Sequence, residues 1–316
     1  MKIPFEKTLV GAFKFTFSNF LSIMGIAWFP FLLLGLLAAG LVASFLPLFT
    51  TLLTTTSDKW DQTQIVPLVS SLLGSFALLF VAMIVVYAMI GVGMMRKALG
   101  QHPAPVYFFF SLGEQVWRMI GAFLLLMLLA WGLMIAFALG IALVSFALSK
   151  FAPAAQAPVT GLLTFVAILA GIYTFVRIQF FLPAVVVAEH HIGLRRSWNL
   201  GRGNFWRIVG IMILVSLPPY LVFTTILSSV LQISMSSHAA ELAAVWPHMV
   251  QNKMSPEELR QYFMIIFGAI ASVWPILVIM ELLYMMALSG LSAGAIATAY
   301  KLVTGASEPD APKAAV

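Results

Sequence analysis

From Phe15 to Ser57 this chain carries no charged residue. About 30 Å of hydrocarbon is crossed by about 20 helical residues rising 1.5 Å each, so this one run is longer than a span. More apolar runs follow, each closed by a charge. Of 316 residues, 62% are apolar and only 9% charged, against roughly 45–50% and about 25% in a soluble domain. No soluble fold of this size hides that much apolar surface, so lipid is the expected solvent.

The runs predict an all-α, polytopic transmembrane helix bundle of about six spans. The first lies near Phe20 to Leu46, with Pro47 beginning its exit. The second runs from Val66 to Met95 and is closed by Arg96 and Lys97. The third runs from Met119 to Ser149 and is closed by Lys150. The fourth follows Pro153 and Pro158, from Val159 to Phe181. The fifth spans Ile208 to Leu231, where Pro218-Pro219 should kink it. The sixth lies within Gln261 to Tyr300, around Glu281.

Basic residues give the expected orientation, because cytoplasmic loops keep Lys and Arg. Thirteen of the 17 lie in the N-terminal segment, the second and fourth loops with Arg177, and the C-terminus. The alternating loops hold Lys59, Lys150, Lys253 and Arg260, with Asp58, Asp61, Glu241, Glu257 and Glu258. Both termini are therefore expected in the cytoplasm and the protein in the inner membrane. The formal net charge of +6 reflects these short loops, and no soluble basic domain exists to hold nucleic acid. The absence of cysteine removes disulfides, thiolate metal sites and lipidated cysteines. The N-terminus does not read as a cleavable signal, since its apolar run is far too long.

Three helix entries look alike. They are Ser18-Asn19-Phe20-Leu21-Ser22-Ile23-Met24-Gly25, Glu114-Gln115-Val116-Trp117-Arg118-Met119-Ile120-Gly121, and Gly203-Asn204-Phe205-Trp206-Arg207-Ile208-Val209-Gly210. Each places an amide before bulky residues and ends in glycine. This suggests one membrane domain, 1–301, built from three repeats, 1–95, 96–187 and 188–301. Each repeat would be an interfacial helix followed by a membrane hairpin, beginning near Phe13, Phe109 and Trp198. The alternative is that any interfacial entry into a helix has this composition. Residues 302–316 are expected to form a disordered cytoplasmic tail.

The stretch from Glu189 to Arg207 is the most informative. On a helix Leu194, Trp198, Gly201 and Phe205 form one stripe, with Arg195, Asn199 and Arg202 on another face. Trp and Arg at a membrane boundary suit an interfacial helix, and guanidinium groups match the phosphates of anionic lipids. The candidate headgroup residues are Arg195, Arg196, Trp198, Arg202, Trp206 and Arg207. Topology alone, or a protein partner, would also account for the arginines.

Leu194-Arg195-Arg196-Ser197-Trp198-Asn199-Leu200, followed by Gly203-Asn204-Phe205-Trp206-Arg207-Ile208, resembles the arginine-serine-tryptophan signature of a bacterial membrane family. That family comprises the membrane domain attached to some glycerophosphoryl diester phosphodiesterases, and related stand-alone six-helix inner-membrane proteins. Ala295-Ile296-Ala297-Thr298-Ala299-Tyr300-Lys301 is similar to the family's ending. The family often continues with a mixed-charge segment, whereas Leu302-Val303-Thr304-Gly305 follows here. The resemblance implies the fold and the membrane location. It does not imply phosphodiesterase activity, since the hydrolytic domain has no counterpart.

Glu281 and Arg177 are the candidate intramembrane polar residues. A charge at mid-bilayer costs roughly 2.5–3.5 kcal/mol on insertion scales, so Glu281 is expected to face the bundle and find a polar partner. If the sixth span starts at Pro275, Glu281 lies near the outer edge and does not meet Arg177. A start near Phe263 would allow an ion pair. A helix over Ser255 to Val273, capped at Ser-Pro-Glu-Glu, could precede the span separately or continuously. Gly290, Ala293, Gly294 and Ala297 have the small-xxx-small spacing of close helix packing. Adjacent His190 and His191 cannot easily share a metal. Gly91-Val92-Gly93 follows no strand and is no nucleotide loop, and no serine sits in a nucleophile elbow.

No catalytic constellation or cofactor is implied. The function that fits is a non-enzymatic protein organising or sensing membrane lipid through a basic cytoplasmic collar. The rival readings are a small transporter, which would need more intramembrane polar sites, and a membrane-embedded enzyme of lipid metabolism, which would need convergent acids, bases or a metal.

Overall fold

The computed structural model describes residues 2–54, 62–102, 104, 106–250 and 255–305. Within them lie ten helices and no strand. These are α1 (Phe5–Ser18), α2 (Phe20–Thr54), α3 (Gln62–Ala98), α4 (Glu114–Phe151) and α5 (Pro153–Gln179), followed by α6 (Leu182–Ala188), α7 (Leu194–Leu200), α8 (Phe205–Ser236), α9 (Ala239–Val250) and α10 (Pro256–Thr304). Six stretches among the described residues are long and apolar enough to cross a membrane: Phe20–Phe45, Val69–Ala98, Glu114–Phe151, Pro153–Ala188, Phe205–Ser236 and Glu257–Thr304. The chain is an all-α integral membrane protein with multiple spans.

Several boundaries move outward from the sequence expectation. Helix α4 starts at Glu114 rather than Met119, where an acid in the first turn suits the positive end of the helix dipole. Helix α5 starts at Pro153, not Val159, because proline at the first helical position loses no hydrogen bond. Helix α2 does not exit at Pro47, and its backbone stays helical to Thr54. Helix α8 likewise runs through Pro218 and Pro219.

Helix α10 is continuous through Pro275, so neither expected start of the sixth span is a break. Ser255 Oγ accepts from Glu258 N–H at 3.2 Å and Ser255 N–H donates to Glu258 Oε2 at 2.8 Å, the expected reciprocal cap. The helix has 49 residues, roughly 74 Å at 1.5 Å per residue. It passes position 301 and stops at Gly305, whose φ of +72° favours glycine. Residues 306–316, most of the expected tail, lie outside the described residues.

The contacts divide the chain into two compact units. One comprises Ala27–Val86 and Leu217–Leu288. There Phe223 stacks on Tyr284 with centroids 4.5 Å apart, and buried Ser234 donates to Ala269 O at 2.6 Å. The hydroxyl thus spends its donor on a helix carbonyl instead of facing an apolar surround.

The other unit comprises Met1–Ile26, Tyr87–Ser216 and Ser289–Val316. Here the small residues of α10 admit α1 closely. A Cβ on Gly294 would lie 3.0 Å from the Ala12 backbone, and one on Gly290 would lie 2.7 Å from Ile23 Cδ1. This is the close approach that small-xxx-small spacing predicted.

The three similar entries also fall in this unit, and their environments recur. Ile23, Met119 and Ile208 are fully buried at the same register position, while Leu21, Trp117 and Trp206 are 62%, 60% and 80% exposed at another. Each entry glycine meets a different lead-in segment: Gly25 the Val106-Tyr107 backbone, Gly121 the Ile192 methyl, and Gly210 the Phe5 ring. Polar contacts repeat the pairing. Val106 N–H donates to Ser22 Oγ at 3.2 Å, Gln115 Nε2 lies 3.1 Å from His190 Nδ1, and Ile3 N–H donates to Asn204 Oδ1 at 2.9 Å. The entries differ in their lead-ins. Helices α1 and α7 precede α2 and α8, but the described residues between Leu99 and Gly113 are non-helical. The interfacial helix expected near Phe109 is therefore absent from those residues.

Candidate functional site

The Glu189 to Arg207 stretch does not form one helix. Helix α7 ends at Leu200, a turn passes through Gly203 at φ +73°, and α8 begins at Phe205. The left-handed glycine breaks the expected 3.6-residue stripe. The face survives the break. Tyr173 of α5 touches both Trp198 and Phe205, with centroids 6.1 and 5.0 Å apart, and Gly201 packs against Arg177. The other face also holds, because Arg195, Asn199 and Arg202 are all exposed.

Arg177 lies near the end of α5 and is only 6% exposed. Its guanidinium stacks 3.7 Å from the Trp198 ring centroid. Its Nε donates to Trp198 O at 3.1 Å and one terminal nitrogen donates to the Tyr173 hydroxyl at 2.9 Å. Desolvated cation–π contact and charge-assisted hydrogen bonds hold this cation in place of a carboxylate. Arg177 thus anchors α7.

Glu189 ties three segments together. Its Oε1 accepts from Arg196 Nε at 3.0 Å and from the Tyr300 hydroxyl at 2.9 Å. His191 Nδ1 lies 3.0 Å from the Glu189 carbonyl, whereas His190 faces Gln115, so the adjacent imidazoles diverge as expected. Sequence reasoning missed this hub. The available signal was that Glu189 is the sole acid between Arg177 and Arg207. Arg207 donates to Ile3 O at 2.6 Å. Burial holds the His102 imidazole below the usual histidine range, with Arg96 and Lys97 adding to the effect.

The six candidate headgroup residues therefore fall into two groups. Arg196, Arg207 and Trp198 are committed to protein partners. Arg195, Arg202 and Trp206 are exposed, and neither arginine side chain has a partner among the described residues. Glu281 lies in the other unit. Its side chain is exposed and has no hydrogen bond or ion pair among the described residues. Among the described residues no three His, Asp or Glu side chains gather as metal ligands would.

Comparison of the chain with protein-family models, curated proteins and solved structures returns no match.

Proposed function

We propose that this protein acts in the inner membrane of a bacterium without catalysing a reaction, organising or sensing anionic lipid through a basic cytoplasmic collar. The observation that carries this reading is the division of the collar. Among the described residues the Arg195 side chain of α7 and the Arg202 side chain of the turn after it are exposed without a partner, close in sequence to an 80% exposed Trp206, while Arg177, Arg196 and Arg207 bond the same segment to its surroundings. A backbone segment held in place presents its guanidinium forks to phosphate from a defined position, and only the side chains remain to be ordered. An indole beside it suits the headgroup layer.

Three hairpin repeats account for the matching entries and for the way each lead-in docks on another entry. Kinship with the membrane domain of the phosphodiesterases named above accounts for the arginine-serine-tryptophan segment. Orientation follows from the basic residues. Reporters fused at Lys14, Gly100, Gly193 and the C-terminus are expected to read cytoplasmic, and fusions near Asp58, Ala155 and Asn252 external. Opposite readings at any two sites would overturn this topology.

Lipid co-purification tests the collar. Each basic residue near an anionic surface is worth about 1 kcal/mol, roughly fivefold. The Arg195→Gln/Arg202→Gln double variant is therefore expected to lose anionic-lipid enrichment by up to about 30-fold while melting like the parent. Arg196→Gln, which breaks the Glu189 pair, should lower thermal stability instead. Unchanged enrichment in the double variant would leave the arginines only a topological role.

A further inference from the structure

Helix α1 is inverted for a helix surrounded by water. Its buried positions are Thr8, Ala12 and Thr16, spaced four apart and pressed toward α10 at Gly294 and Gly290. The threonine hydroxyls are satisfied within the helix, by Pro4 O at 2.8 Å and Ala12 O at 2.9 Å. That lets small polar residues serve as a close-packing face. The apolar bulk points the other way. Val10 is 59% exposed and Phe17 76% exposed, and Lys7 and Lys14 are exposed with them. Positions 7, 10, 14 and 17 are three and four residues apart and so form one stripe. Glu6 is exposed at the stripe's edge, in the first turn, where the helix dipole favours an acid.

Water gives no reason to display valine and phenylalanine on one stripe with two lysines. A headgroup layer gives a reason for each residue: the rings and methyls enter the acyl boundary, and the ammonium groups rise to phosphate oxygens. We propose that the Lys7–Val10–Lys14–Phe17 face of α1 is a second lipid-contact surface, lying in the anionic headgroup layer of the membrane. The inference rests on the collar reading for which leaflet α1 meets.

The chain contains no cysteine, so single cysteines can carry a fluorophore on the full-length protein. Labels at Val10→Cys and Phe17→Cys, in nanodiscs of phosphatidylglycerol, are expected to be quenched by lipids brominated near the headgroup. A label at exposed Asn199→Cys, on the collar, serves as the reference for the same leaflet. Lys7→Gln/Lys14→Gln should lower phosphatidylglycerol enrichment over phosphatidylcholine by up to about 30-fold. Quenching of the α1 labels by aqueous iodide alone would overturn the proposal. So would shielding from both quenchers, which would mean a protein surface covers this face. If the α1 variant keeps its enrichment while Arg195→Gln/Arg202→Gln loses it, the α1 surface fails alone. If both keep it, the collar reading fails as well.

Discussion

Gly25→Ala is expected to destabilise the protein by about 3 kcal/mol or more, at the upper end for overpacked sites. The added methyl would run into the Val106 carbonyl oxygen and stand 2.6 Å from Tyr107 Cα. Both obstacles are backbone, which cannot rotate aside as a side-chain tip can. The same segment is held by the Val106 N–H bond to Ser22 Oγ, so relief of the clash would break that bond too. Gly35 on the same helix is the control. Nothing lies within 4 Å of its would-be Cβ, so Gly35→Ala should leave stability level or raise it by roughly 0.5–1 kcal/mol through helix propensity. Thermal unfolding of detergent-solubilised protein reads the difference. Equal melting of the two variants would contradict the close approach.

Arg177→Ala should cost about 3 kcal/mol or more, since it removes a desolvated cation–π contact and two charge-assisted hydrogen bonds together. The loss falls on α7, because the guanidinium meets the Trp198 ring and carbonyl together. Gly201, whose would-be Cβ lies 2.6 Å from Arg177 Cγ, would face an empty volume. Arg177→Lys should recover only part of the stability. An ammonium keeps the charge but not the planar stack or the fixed fork. A red-shifted Trp198 emission in the alanine variant would mark release of the indole to water, and full recovery by lysine would argue that charge alone is used.

Much of this architecture was legible in the sequence because lipid imposes a simple rule, a helix wherever charges are absent for long enough. The small residues of α10 also declared their packing, since few side chains let backbones approach closely. The two faces of the arginine-rich stretch were correct although the helix was not. Helical periodicity located Trp198, Gly201 and Phe205 on one side, and the left-handed turn at Gly203 preserved that side while ending α7. What stayed hidden was long-range. Glu189 reaches Tyr300 across 111 residues, and Ile3 reaches Asn204 across 201, distances no local pattern encodes. Chain composition equally could not show that α10 passes Pro275 unbroken, because proline is tolerated where neighbouring groups satisfy the freed carbonyl. Glu281 was read from a general cost. The penalty for a membrane carboxylate says that a remedy is needed, and within the described residues of this chain no side chain supplies it.

The inverted face of α1 and the free arginines of the collar place exposed cations on two separate segments of one unit. The attraction for anionic lipid proposed for them must weaken as salt shortens the screening length from about 10 Å at 0.1 M to about 3 Å at 1 M. The direct measurement is the ratio of phosphatidylglycerol to phosphatidylcholine retained by the unmodified protein from an equimolar mixture, followed across that salt range. The account predicts clear phosphatidylglycerol enrichment at low salt that falls steeply toward parity at high salt. A ratio at parity throughout, or an enrichment indifferent to salt, would contradict it.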